Sequence, residues 1–456
     1  LSALPLTDDP DPSRRSPREH IRRGKVLIRR HGPTAPMWRR RAAIFGGAIV
    51  VGLAAILFAR LADAASDLFN DVASKAGGLP LLLTPAGFAT IAWLTQRLAP
   101  AAGGSGIPQI IAAKADPERA TDQLASARTA ITKVVLTVAA LACGASVGRE
   151  GPTVQVGATV MAYAHRLLRV PVRASVLVAG AAAGVAAAFN TPLAGVAFAI
   201  EELAAAYEQR MTLLVMTAVL IAGMVSLGLA GDYIYFGLVG QTLSLRATLV
   251  IAPVAGVAGG VSGALFSRAM LWLSRSGARR LSRGRPIAFA AVCGLLVAAI
   301  GTATGLTWGT GYGAARSALA GADAPLWFGP AKFLATLATA AAGLPGGIFA
   351  PTLATGAGLG NVIHVLFPAE PTGAVVLLGM VAYFAGVVRA PLTSVIIIAE
   401  TTGSRGLMMP LLAAALIAEF AASLISRERL YHGLAQRYGT AAQTEWNAKF
   451  PGDREH

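Results

Sequence analysis

The sequence predicts an all-α integral membrane protein made of two inverted-topology repeats, each a set of tilted and broken transmembrane helices. Three observations carry this. Hydrophobic residues fill 55% of the 456 positions and charged residues only 14%, against roughly 25% charged in a soluble domain. Apolar runs recur along the whole chain, many near the roughly 20 residues that a spanning helix needs. The landmarks of the first half return in the second at one constant spacing.

The apolar runs are Ala43 to Phe58, Val134 to Ala145, Val176 to Phe189, Leu213 to Leu229, Leu249 to Phe266, Ile287 to Ile300, Val375 to Val388 and Leu407 to Ile425. Several are short and interrupted by Gly and Pro. The spacing is read from six anchors. Gly148, Pro152, Thr153 and Gly157 recur as Gly347, Pro351, Thr352 and Gly356, while Pro192 and Glu201 recur as Pro391 and Glu400. Each pair differs by 199 positions (351 − 152, for example). A constant offset over several anchors means a duplication. The chain divides into a basic segment 1–40, a first transmembrane repeat 41–240, a second 241–440 and a tail 441–456.

Charge orients the repeats. The net charge is +16, and residues 1–41 hold ten Arg and one Lys against three Asp and one Glu. Further basic groups cluster at Arg268, Arg275, Arg279, Arg280, Arg283 and Arg285, and again at Arg427, Arg429 and Arg437. Such clusters mark cytoplasmic faces, and some of that charge can touch anionic lipid. Both termini are therefore expected in the cytoplasm, with an odd number of spans per half, which inverts the second repeat. A nucleic-acid partner is rejected, because the charge sits at chain ends and loops with few aromatics between. High Arg and Ala content points to a bacterial inner membrane. A polar, basic N-terminus precedes the first apolar run, so no cleavable signal peptide is read. A short amphipathic helix is expected over Pro17 to Arg30. Cys143 and Cys293 lie in apolar runs and form no disulfide framework. The six histidines are scattered, so neither a metal nor a cofactor is implied.

One charged pair stands out. Arg149 and Glu150 lie between apolar stretches, where a charge costs about 2.5–3.5 kcal/mol on the insertion scale. Glycine breaks a helix and proline favours its first turn. Gly148–Pro152 therefore ends one helix and starts another, and Gly343–Pro351 does the same in the second half. Irregular backbone at membrane depth must be buried in protein or line a wet cavity. Each new helix presents unpaired N–H groups and its positive dipole end. Two such ends, one from each half, build an anion site near the midplane without a full positive charge. A third break, Gly103-Gly104-Ser105-Gly106-Ile107-Pro108, adds the Ser105 hydroxyl. Neutral donors suit a halide or another small monovalent anion, which a lysine cage would hold too tightly to release.

Taken together, Gly104-Ser105-Gly106-Ile107-Pro108, Gly148-Arg149-Glu150-Gly151-Pro152 and Gly347-Ile348-Phe349-Ala350-Pro351 resemble the CLC family of chloride channels and proton/chloride antiporters, over about residues 40–440. The resemblance implies a role for each matching residue. Ser105 corresponds to the serine whose hydroxyl contacts the central anion, with the N–H groups of Ile348 and Phe349 beside it. Glu150 resembles the gating glutamate, whose carboxylate occupies an anion position and swings out when protonated. Backbone amides around Arg149 and Gly151 would bind the outer anion. Glu202 resembles the inner glutamate that passes protons towards the cytoplasm. Tyr431 looks like the tyrosine that closes the inner mouth with Ser105, although its surroundings are only loosely similar and Tyr438 lies nearby. The resemblance also implies a homodimer with one pore per subunit. The regulatory nucleotide-binding domains of larger members are not expected.

Plainer roles compete with these. Glu150 could pair with Arg149 or Arg128. Glu201 and Glu202 could both cap a helix end, but adjacent helical residues point about 100° apart. Glu201 has a repeat partner in Glu400, as a structural acid would. Glu202 corresponds to Thr401, so its acid belongs to one half only. Ser105 could bond its own backbone, and Tyr431 could be an interfacial tyrosine. An intramembrane hydrolase is disfavoured, since no HExxH pattern and no readable nucleophile–base pair occurs. The chain is therefore read as a transporter, not an enzyme. Its expected activity is exchange of chloride for protons gated by Glu150, with bromide and nitrate passing to some degree. The runner-up is a passive voltage- or pH-gated chloride channel on the same fold.

Overall fold

The computed structural model describes residues 35–203, 209–231, 234–322 and 325–438. The expected helix over Pro17 to Arg30 lies outside them. The first half runs α1 (Ala35–Lys75), α2 (Pro80–Leu98), α3 (Ile107–Ala113), α4 (Pro117–Gln123), α5 (Ala127–Ala142), α6 (Glu150–Leu167), α7 (Ala174–Phe189), α8 (Pro192–Phe198) and α9 (Gln209–Ala230). The second runs α10 (Leu245–Trp272), α11 (Ala278–Ser282), α12 (Pro286–Thr304), α13 (Tyr312–Leu319), α14 (Phe328–Ala341), α15 (Phe349–Leu366), α16 (Thr372–Val388), α17 (Pro391–Thr402) and α18 (Met408–Ile425). A last helical segment covers 430–438.

Each apolar run read from the sequence falls on a helix, although the helix under Val134 to Ala145 stops at Ala142, and local chemistry sets many ends. Proline opens α2, α8, α12 and α17, where its missing N–H removes no hydrogen bond. Ser126 and Ser244 cap α5 and α10 by accepting the N–H groups of Thr129 and Ala247. Among the described residues, six helices are long and apolar enough to cross a membrane. The 41 residues of α1 span about 60 Å at 1.5 Å per residue. That is twice the ~30 Å hydrocarbon core, so α1 tilts or protrudes.

The 199-residue offset is an architectural rule. Glu150 opens α6 and Phe349 opens α15, 199 positions later. α6 packs on α7 as α15 packs on α16, and α1 packs on α9 as α10 packs on α18. α7 and α16 are only 16 and 17 residues long but buried on nearly every side, as helices at the centre of a large core are. Close approach sets this packing: a methyl group on Gly356 would lie 2.7 Å from the Cα of Met380.

Two pairs of equivalent residues mark the two-fold relation. Gly148 and Gly347 form an antiparallel bridge in which each N–H donates to the other's carbonyl at 2.7 Å. The chain runs in opposite directions through the two sides of this bridge, as a two-fold relation between the repeats requires. The Glu201 carboxylate accepts the N–H groups of Leu392 and Thr393 at 3.2 and 2.7 Å, at the start of α17. Glu400 accepts those of Leu193 and Ala194 at 3.2 and 2.7 Å, at the start of α8. Each acid therefore caps the other repeat's helix, where a carboxylate also complements the helix dipole.

Glu400→Ala removes two charge-assisted acceptors between the repeats. The expected loss is about 1.5–3 kcal/mol, read as a lower thermal unfolding midpoint in detergent. Glu201→Ala is expected to cost the same.

Candidate functional site

The site lies where the three loop breaks meet. The first enters through Gly106, whose φ of +107° is left-handed. A Cβ there would sit 2.7 Å from the carbonyl oxygen of Gly151, so Gly106 satisfies both the turn and the close approach. Gln109 closes the turn: its Oε1 accepts the Gly106 N–H at 3.0 Å, and its Nε2 donates to the Gly103 carbonyl at 2.6 Å. The Gly104 N–H donates to Leu344 at 3.1 Å and its carbonyl accepts from Gly346 at 3.2 Å. The first and third breaks are thereby joined through the backbone, and the Gly148–Gly347 bridge joins the second to the third.

The N-termini of α6 and α15 converge at this junction. Pro152 and Pro351 stand at matching positions in the two first turns. The hydrogen-bonded ladder resumes only at Thr153 and Thr352, which donate to Arg149 and Ile348. The N–H groups of Ile348, Phe349 and Ala350, and of Arg149, Glu150 and Gly151, are left without intrahelical acceptors.

Glu150 sits between the two ends. It is 0% exposed, and neither carboxylate oxygen has a hydrogen-bond partner among the described residues. The N–H groups of Ala350 and of Glu150 itself face it. The Arg149 side chain turns away. Its Nη1 lies 2.6 Å from Asp63 and donates to the Ala59 carbonyl at 2.7 Å, while its guanidinium sits 6.0 Å from the Tyr235 ring centre. Arg128 is exposed. The ion pair weighed for Glu150 is thus formed by Arg149 with Asp63 instead.

Ser105, Gly151, Ile348 and Tyr431 come together beside Glu150. Ser105 Oγ is packed against the Cα of Gly151, and the Tyr431 hydroxyl faces Ser105. Ser105, Ile348 and Tyr431 line a cavity of about 760 Å³. The Phe349 ring is fully buried and packs on Phe384, Phe198, Tyr431 and Phe189, with centroids 4.9, 5.9, 5.9 and 6.3 Å away. A second cavity of about 710 Å³, lined by Asp63, Asp67, Arg149, Tyr235 and Tyr312, opens on the far side of Arg149. Glu150 lines neither cavity, although Ile348 and Arg149, from the same junction, each line one.

Glu202 stands apart from this junction. It is 1% exposed and lies in a π turn, Ala199–Leu203, rather than in the α-helix expected for it. Its neighbour Glu201 is engaged at α17, so the two acids have separate surroundings. Tyr431 is within electrostatic reach of both Glu150 and Glu202. Tyr438, the other tyrosine considered, donates to the Gly103 carbonyl at 3.3 Å and accepts from Gln109 at 3.1 Å. It braces the first break.

Sequence reasoning missed several residues. Lys133 is fully buried and donates to the Gly104 carbonyl at 2.7 Å. Lys332, 199 positions on, is also buried and donates to the Thr307 and Gly309 carbonyls at 2.9 and 2.7 Å. The same 199-residue offset applied to the lysines would have found them. Asp63 and His432 carried no such signal, because their partners are distant in sequence.

The fold and the junction define a multi-pass membrane transporter built on broken helices. Residues 86–423 match the family model for voltage gated chloride channels, and the chain belongs to this CLC family. Three solved structures share its fold. A slow cyanobacterial Cl−/H+ antiporter superposes with a TM-score of 0.77 at 23% identity, covering 88% of this chain and 98% of that one. A eukaryotic CLC transporter gives 0.73 at 22%, covering 88% and 75%. A CLC-type fluoride/proton antiporter gives 0.72 at 21%, covering 86% and 96%.

Gly106→Ala forces a side chain into a left-handed turn against the Gly151 carbonyl. The expected cost is about 1–3 kcal/mol, read as a lower unfolding midpoint. Gly313→Ala, at an open position inside α13, is expected to leave the midpoint unchanged or raise it slightly.

Proposed function

We propose that this protein exchanges chloride for protons, with Glu150 as the gate. One observation carries the reading. A buried carboxylate without a hydrogen-bond partner is seated between two converging helix N-termini, where a free anion would be stabilised. Chloride and the Glu150 carboxylate compete for the same N–H groups. Protonation removes the carboxylate's charge and its claim on them, so one residue links anion movement to proton movement.

The neighbouring groups have matching roles. Ser105 supplies a neutral hydroxyl to the central anion, beside the N–H groups of Ile348 and Phe349. The amides around Arg149 and Gly151 hold the outer anion, while the Arg149 side chain anchors the turn to α1. Tyr431 closes the larger cavity against Ser105. Glu202, separate from the anion path, takes protons from the cytoplasm. A second buried acid is what favours exchange over passive conduction. Bromide and nitrate follow chloride, since nothing in the donor set is specific for one halide. The working unit is a homodimer in a bacterial inner membrane, with both termini cytoplasmic.

The test is proton flux in liposomes under a chloride gradient, with no proton gradient imposed. Uphill proton movement is expected, and chloride flux without it makes the protein a passive channel. Glu150→Gln is expected to abolish proton coupling while anion flux persists. Glu202→Gln is expected to stop proton movement too. Full coupling in either variant removes that residue from the mechanism.

A further inference from the structure

Glu202 is sealed from solvent, so a proton needs a route to it. The structure places an exposed imidazole at its edge. His432 Nδ1 lies 3.3 Å from Glu202 Oε1, and the two side chains are 45% and 0% exposed. Among the described residues, neither carboxylate oxygen of Glu202 has a hydrogen bond of good geometry. The imidazole is therefore the polar group placed to exchange a proton with it.

His432 follows Tyr431 in the helical segment 430–438, and adjacent helical side chains diverge by about 100°. Tyr431 is buried against Ser105 and the larger cavity. His432 points to solvent and is not among the residues lining that cavity. The segment thus holds an anion-side tyrosine and a solvent-side imidazole one position apart.

The surrounding charges are accounted for. Glu201 is occupied by the N–H groups of Leu392 and Thr393. Arg429 donates to the Glu201 carbonyl at 3.3 Å and lies near the Glu202 carboxylate. Lys114 donates to the Leu203 carbonyl and also lies within electrostatic reach of Glu202. Glu428 lies near Gly433 and is paired with Arg275. Unlike a lysine or arginine side chain, an imidazole has two ring nitrogens and can take up a proton at one while giving one up at the other.

We infer that His432 is the proton relay between solvent and Glu202, a role that rests on Glu202 being the inner proton acceptor. A solvent proton bonds to Nε2. The Nδ1–H bond then breaks as the Glu202 Oε1–H bond forms, and the ring is left neutral. Ring rotation, or passage of a proton the other way, resets it. No proton is created or lost, and the anion path is not used.

The experiment is chloride-driven proton uptake in liposomes by the wild type, His432→Ala, His432→Asn and Glu202→Gln, across pH and with free imidazole on both sides. His432→Ala and His432→Asn are expected to slow proton uptake about ten-fold, below the usual 10²–10⁴ of a positioned acid–base group. The loss should grow as pH rises and free protons become scarce, and imidazole should restore the rate. Unfolding midpoints should be unchanged. Wild-type rates and pH profile in both variants overturn the relay. A slowed rate that imidazole does not rescue, with an unchanged pH profile, also overturns it and leaves His432 a packing residue. Intact proton uptake in Glu202→Gln overturns the inner-acid reading itself, and the relay falls with it.

Discussion

Backbone N–H groups at membrane depth need acceptors, and the centre of this protein is organised around that need. Water does not compensate an orphan amide in the hydrocarbon core. At the junction of α6 and α15, proline at matching positions removes one donor from each helix. The Gly148–Gly347 bridge satisfies two more. The donors that remain converge on one small volume, which is electropositive without holding a lysine or arginine side chain. A buried carboxylate is tolerated there because the field of two helix ends replaces hydration.

Symmetry makes that convergence cheap to build. One set of contacts, used twice, positions both helix ends. The exchanged caps of Glu201 and Glu400 tie α8 to α17 across the dyad, and the buried lysines repeat a second device. Lys133 holds the carbonyls behind Ser105, while Lys332 holds those of the loop ahead of α13. Each lysine satisfies carbonyl oxygens that irregular backbone would otherwise leave unpaired. Function enters where symmetry is broken. Glu150 is matched by Phe349, whose ring packs into an aromatic cluster, and Glu202 is matched by Thr401. The acids of the proposed proton path therefore belong to the first repeat alone.

The sequence by itself determined the membrane class, the duplication and the positions of the helix breaks. Those properties follow from hydrophobic length, from a constant offset and from the local chemistry of Gly and Pro, all of which are written along the chain. Ser105, Glu150, Gly151, Ile348 and Phe349 were legible for the same reason, since each sits in a compact motif. Only the tertiary structure decided which groups meet. Arg149 chooses Asp63 on α1 over its sequence neighbour Glu150, because α1 passes within reach of the guanidinium and the carboxylate of Glu150 turns to the helix ends. Both tyrosines line the larger cavity, but Tyr431 faces Ser105 while the Tyr438 hydroxyl is held by the Gly103 carbonyl and Gln109. The approach of His432 to Glu202 joins segments 230 positions apart (432 − 202), and no local pattern encodes a contact of that kind.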